Sequence, residues 1–127
     1  MYKVMWITKF NPNLERAEAQ RMWRDVHGPL MLATPGLRSY VQNHWLETNP
    51  FSGSTRSGEM DFDGHAEAWF ENKEAFDRGM QSEEFHRAVD DVKNCFDPGT
   101  LSSGVLSEYV MKWDPLPGWD VYKGAGR

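Results

Sequence analysis

An α+β fold is what the 127-residue sequence predicts, and three observations carry the prediction. Four short segments are rich in strand-forming residues. Amphipathic helical patterns follow the first and the third of them. Clusters of Pro, Gly, Asn, Asp and Ser punctuate the chain between these elements. The length fits one domain of common size, and 39% hydrophobic with 26% charged residues allows a core.

The first strand is expected over residues 2–9, where Val4, Met5, Trp6 and Ile7 place apolar side chains on both alternating faces. A helix then begins at one of two caps: Asn11, with Pro12 at the first helical position, or Asn13. Ala19, Met22, Trp23, Val26 and Leu30 form its apolar stripe. Pro29 lacks the N–H that would reach the Asp25 carbonyl and disfavours helical geometry at Gly28, so the helix should break or kink beside His27. His27 itself falls at the stripe's edge, roughly 80° from Ala19, an address that suits a cleft rim.

Thr34-Pro35-Gly36 is a turn signal, and residues 37–46 read as the second strand. Arg38, Tyr40, Gln42 and His44 share one of its faces; Leu37, Ser39, Val41, Asn43 and Trp45 take the other. Residues 47–64 have no periodicity and read as a lid or arm. In the third strand, 65–71, Ala66, Ala68 and Phe70 oppose His65, Glu67 and Trp69, and the two alanines leave room above the sheet. Residues 73–80 form a short helix. Ser82 caps another, whose stripe is Phe85, Ala88, Val89, Val92 and Phe96, and Asp97-Pro98-Gly99 stops it. Residues 104–113 complete the sheet, closing a domain over 1–113, and 114–127 form an extended tail.

The order β-α-β-β-α-β is the split βαβ, ferredoxin-like plan: a four-stranded antiparallel sheet with its helices on one face. Since the first strand is apolar on both faces, the second face also needs cover. A second copy's sheet is the simplest source, so a homodimer is expected.

Charge and cysteine content narrow the function. The net charge of −5 is spread along the chain, which argues against nucleic-acid binding. The single cysteine, Cys95, cannot form an internal disulfide and fits a reducing compartment. The sequence opens on a strand pattern with no signal-peptide core, and no apolar run approaches the ~20 residues that span a bilayer. A soluble, cytoplasmic domain is expected, with no membrane partner. The four histidines show no H-x-x-x-H spacing, Asp61-Phe62-Asp63-Gly64 lacks a calcium loop's pattern, and nucleotide-binding glycine motifs are missing, so no metal or cofactor is expected.

The segments W-R-D-V-H-G-P-L, P-G-L-R-S-Y-V-Q-N and F-D-G-H-A-E-A-W-F, in this order and spacing, resemble the EthD-like family of the dimeric α/β-barrel superfamily. The resemblance covers roughly residues 2–113. It implies a ferredoxin-like protomer whose sheet meets a partner's to close a barrel, and a pocket between each sheet and its own helices. It implies a range of activities in catabolism or secondary metabolism: dehydration, decarboxylation or cyclisation of polyketide-type aromatics, isomerisation of muconolactones, and a part in ether degradation beside a cytochrome P450 system. His27 and Tyr40 match pocket positions of the muconolactone isomerase branch. This chain departs from that branch at Ala68, where the branch has a cysteine; Cys95, on the last helix, is no counterpart.

The candidate catalytic residues are therefore His27, as general acid/base, and Tyr40, as hydrogen-bond donor to a carbonyl or enolate. His27 also reads as a helix-end residue capping free carbonyls, and Tyr40 as a core tyrosine. Trp23, Gln42, His44, Ala68, Phe70 and Asp91 make up the expected substrate-binding set. The leading functional expectation is a cofactor-independent lyase, isomerase or cyclase acting on a small oxygenated ring or polyketide-type metabolite. Its rivals are an oxidoreductase or accessory protein of an oxygenase, and a non-catalytic small-molecule-binding stress-type barrel.

Overall fold

A computed structural model of the chain describes residues 1–46, 61–114 and 121–124. Strands β1 (Tyr2–Thr8), β2 (Leu37–His44), β3 (Gly64–Phe70) and β4 (Ser102–Leu106) form one antiparallel sheet in the order β2-β3-β1-β4. Helices α1 (Arg16–Met22) and α2 (Gly28–Leu32) follow β1, and α3 (Lys73–Met80) and α4 (Glu83–Cys95) follow β3.

The strand alternation sets the core. Register pairs Val4 and Tyr40 with Ala68, and Trp6 and Gln42 with Ala66, so these residues share the face toward the helices. One apolar cluster there joins Phe10, Ala19, Trp23, Ala66, Cys95 and Phe96; a second joins Val4, Ala68, Phe70 and Ala75. Asn72 and Ser82 cap α3 and α4 by accepting the amides of Ala75 (2.9 Å) and Phe85 (3.1 Å). The opposite face carries Lys3, Met5, Glu67 and Trp69. Lys3 is held there by Glu108 (2.5 Å) and Glu67 (3.1 Å), with its ammonium 4.6 Å from the Trp69 ring centre.

Four local expectations need correction. The helix does not break at His27 but passes through an irregular turn there. Residues Trp23–His27 form a π-helical turn, in which the Gly28 amide reaches back five residues to the Trp23 carbonyl, and α2 continues with Pro29 in its first turn. Neither asparagine caps α1: Asn11 Oδ1 accepts from the Asn13 amide (2.9 Å), making a turn, and α1 begins after Glu15. An irregularity between Leu37 and Ser39 turns Leu37 onto the helix side, where it packs on the second cluster, while Arg38 pairs with Glu71 in solvent. The fourth strand starts earlier and is shorter than 104–113. Leu106 already pairs with Lys3, near the start of β1, so β1 has little left to offer the residues beyond.

Most of the expected lid or arm lies outside the described residues, as do 115–120 and 125–127 of the tail. Tyr122 donates to Asp25 Oδ1 at 2.5 Å, which returns that part of the tail to the π-helical turn. Among the described residues, no helix is long and apolar enough to cross a membrane.

Candidate functional site

A cavity of about 260 Å³ lies between the sheet and the helices. Its floor is Trp6, Tyr40, Gly64 and Ala66; its walls are Trp23, His27 and Met31 from the first helical stretch and Phe85, Ala88 and Val92 from α4. The small residues of β3 create the space. A Cβ at Gly64 would stand 2.6 Å from both the Asn43 carbonyl oxygen and Trp23 Cζ3. Val89, Lys93, Pro98 and Leu101 also line the cavity and are exposed, so they form its mouth.

The π-helical turn decides which residues of the first helical stretch face inward. A five-residue turn adds one residue to the usual spacing, so the inner positions step by four: Ala19, Trp23, His27 and Met31, each buried. Val26, expected on the stripe, is 40% exposed, and His27, expected at its edge, is 6% exposed. The Trp23 carbonyl accepts both the Gly28 amide and Gln42 Nε2 (2.9 Å), so the irregular turn is well satisfied.

His27 Nδ1 lies 3.1 Å from Asp91 Oδ2, and Asp91 Oδ1 accepts from Asn94 Nδ2 (2.9 Å). The Phe96 ring stands edge-on to the imidazole, with centroids 5.7 Å apart. Burial lowers the His27 pKa below the ordinary imidazole value, while the hydrogen bond and charge of Asp91 act against that fall. The carboxylate takes the Nδ1 proton in a hydrogen bond, which leaves Nε2 as the basic nitrogen. Burial likewise raises the Tyr40 pKa, opposed by hydrogen bonds from the side chains of Gln42 and Trp23, so this phenol stays protonated. The Thr8 hydroxyl, also on the cavity, is occupied by Thr100 Oγ1 (2.9 Å) and backbone carbonyls.

Of the residues proposed from sequence, His27, Tyr40 and Trp23 line the cavity together. Asp91 reaches it through His27. Gln42 and His44 stand behind Tyr40 and Trp23: His44 stacks on Trp23 at 4.1 Å between ring centres and meets Gln42 Oε1 at 2.9 Å. Burial first, then Arg24 and Arg16, lower the His44 pKa to about 4. Ala68 and Phe70 belong to the second apolar cluster and are not among the lining residues. Trp6, Met31 and the mouth residues were not foreseen. The step of four from Ala19 to Met31 was the available signal for Met31.

Cys95, one helical turn beyond Asp91, completes a His27–Asp91–Cys95 group whose ligand atoms lie within 4.8 Å of one another. In kind these donors suit a thiophilic cation. Burial pushes the Cys95 thiol up to about 12, with the Asp91 charge adding to the rise, so a cation there would have to displace a tightly held proton.

The EthD domain family matches residues 11–99, which contain the first helical stretch, β2, β3, α3, α4 and every member of the His27–Asp91 pair's surroundings named above. The chain belongs to the EthD family. Among solved structures, this EthD-family chain is similar to an EthD family protein from Bacillus halodurans, at 19% identity and a TM-score of 0.66, over 86% of this chain and 100% of that one. It is also similar to a dimeric ferredoxin-like protein of unknown function from Thermobifida fusca (12%, TM-score 0.56, 84% and 90% covered). A third is SnoaB, a cofactor-independent oxygenase from Streptomyces nogalater (16%, TM-score 0.52, 91% and 97% covered). At these identities the likeness shows a shared fold. A comparison with curated proteins finds no match.

Proposed function

We propose that this protein is a cofactor-independent proton-transfer enzyme, of lyase, isomerase or cyclase type, acting on a small oxygenated ring or polyketide-type metabolite. One observation carries the reading: an imidazole, held by a carboxylate at 3.1 Å, lines the same apolar cavity as a phenol. A ligand with a ring carbonyl would lose a proton from its α-carbon to His27 Nε2, and the electron pair would move to the carbonyl oxygen. Tyr40 would donate to that developing enolate. Return of the proton to another carbon gives isomerisation. Its delivery to a departing β-hydroxyl gives dehydration, with water as the leaving group.

SnoaB favours a second reading, in which the same carbanion is handed to dioxygen without a cofactor. An accessory role beside an oxygenase, as in ether degradation, is the other form of this second reading. A homodimer is part of the proposal, supported by the sheet face that the helices leave uncovered and by the dimeric Thermobifida fusca neighbour. So is a cytoplasmic location, supported by the free thiol of Cys95.

The test is α-proton exchange of cyclic ketones such as 2-tetralone in deuterated water, followed by proton NMR. The wild-type protein should accelerate exchange, and His27→Ala should lose about 10²–10⁴-fold of that acceleration with an unchanged circular dichroism spectrum. Equal exchange by the two proteins would remove His27 from the mechanism. Oxygen uptake during the reaction would select the oxygenase reading.

A further inference from the structure

We propose that Gln42 is a positioning residue that orients Tyr40 as a hydrogen-bond donor to the cavity, so that the site selects a ligand presenting an acceptor oxygen there. The inference rests on the reading of the cavity as the substrate site and narrows the substrate class.

Two contacts fix which end of the Gln42 amide is which. Its nitrogen lies 2.9 Å from the Trp23 carbonyl oxygen, and its oxygen lies 2.9 Å from His44 Nε2. Turning the amide over would set two acceptor oxygens against each other at Trp23. The nitrogen's second proton is then free for the Tyr40 hydroxyl oxygen, 3.4 Å away. A phenol oxygen that accepts from the Gln42 amide still has its own O–H to give. Tyr40 lines the cavity and Gln42 does not, so that O–H is the polar group the phenol has left to offer a ligand.

Gly28 belongs to the same device. A Cβ there would stand 3.0 Å from Gln42 Nε2, so the glycine of H-G-P-L leaves the amide room to reach the Trp23 carbonyl. The site thus has a fixed polarity. His27 Nε2 accepts a proton and Tyr40 gives a hydrogen bond. A ketone or quinone oxygen fits at Tyr40, and a bare hydrocarbon leaves the donor unmet.

The experiment compares 1-indanone with indane, two probes of one shape that differ by a carbonyl oxygen. Binding is read from quenching of tryptophan fluorescence, since Trp6 and Trp23 line the cavity. Tyr40→Phe should weaken 1-indanone binding about 3- to 10-fold and leave indane unchanged. Gln42→Glu should do the same with Tyr40 intact, because a carboxylate accepts the phenol's proton and turns its lone pairs to the cavity. If Gln42→Glu fails to fold, Gln42→Met, which removes the directed donor, should give an intermediate loss for 1-indanone alone. Equal losses for both probes, no loss for 1-indanone, or no binding of either probe by the wild-type protein would overturn the proposal. Discrimination without α-proton exchange would sink the His27 reading and leave this one standing; exchange without discrimination would do the reverse.

Discussion

His27 and Asp91 meet at 3.1 Å across two helical stretches that are 64 residues apart in sequence. The carboxylate holds the imidazole in one tautomer and raises its basicity against the fall caused by burial. In Asp91→Asn both contributions are lost. The His27 pKa should then fall further, shifting the acid limb of the exchange rate to lower pH, and the maximal rate should drop because the amide no longer selects Nδ1–H. A pH profile of the ketone exchange assay checks both. An unmoved acid limb would uncouple Asp91 from the base.

His44 makes a separate prediction about acid stability. Its folded pKa, about 4, is below the ordinary value of 6.5, so between those values the unfolded chain binds a proton that the folded protein refuses. The associated stability is complete above about 6.5 and is lost as pH falls toward 4. Urea midpoints should therefore drop between pH 7 and pH 4.5, and His44→Gln should show a smaller drop. An identical drop in both proteins would exclude His44 as the source.

Gly64→Ala should destabilise the protein by about 1–3 kcal/mol, because its methyl group meets backbone at Asn43 and the rigid indole of Trp23 at 2.6 Å. Urea denaturation measures the loss, and the Trp23 fluorescence maximum should shift with it. A variant as stable as wild type would show that the strand and the indole move apart at little cost.

Cys95 should resist thiol reagents in the folded state. It is fully buried, and with a pKa pushed up to about 12 its thiolate is scarce at pH 8. Ellman's reagent should react only as fast as the protein opens, and at once in denaturant. Rapid labelling of native protein would contradict the packing around α4.

Association through the uncovered sheet face predicts a mass near twice the 14.7 kDa of one chain in light scattering. Lys3→Glu would gather a third carboxylate beside Glu67 and Glu108 on that face and should yield monomer with an unchanged circular dichroism spectrum. A wild-type mass of one chain, or a dimer that survives the substitution, would place any partner elsewhere.

Alternation and capping were legible because they are local. Ala66, Ala68 and Phe70 identified the inner face of β3, and Ser82 marked the start of α4 without knowledge of anything distant. The π-helical turn was not, because a stripe assumed to repeat every 3.6 residues assigns Val26 inward and His27 to the edge. The irregularity at Leu37 reversed one residue for a similar reason: strict alternation has no place for an extra residue. The Asp91 and Cys95 contacts depend on how α4 crosses the first helical stretch, which no spacing within either segment specifies. The length of the fourth strand depended on where its partner strand ran out.

Pro29 is not among the residues lining the cavity, yet it withholds the amide that an ordinary helix would send to the Asp25 carbonyl. The turn before it therefore behaves like a one-residue insertion absorbed inside a helix. An unbroken helix over the same residues would set Val26 inward and the imidazole at the stripe's edge. One missing backbone proton thus bears on which side chain the first helical stretch turns toward the hollow.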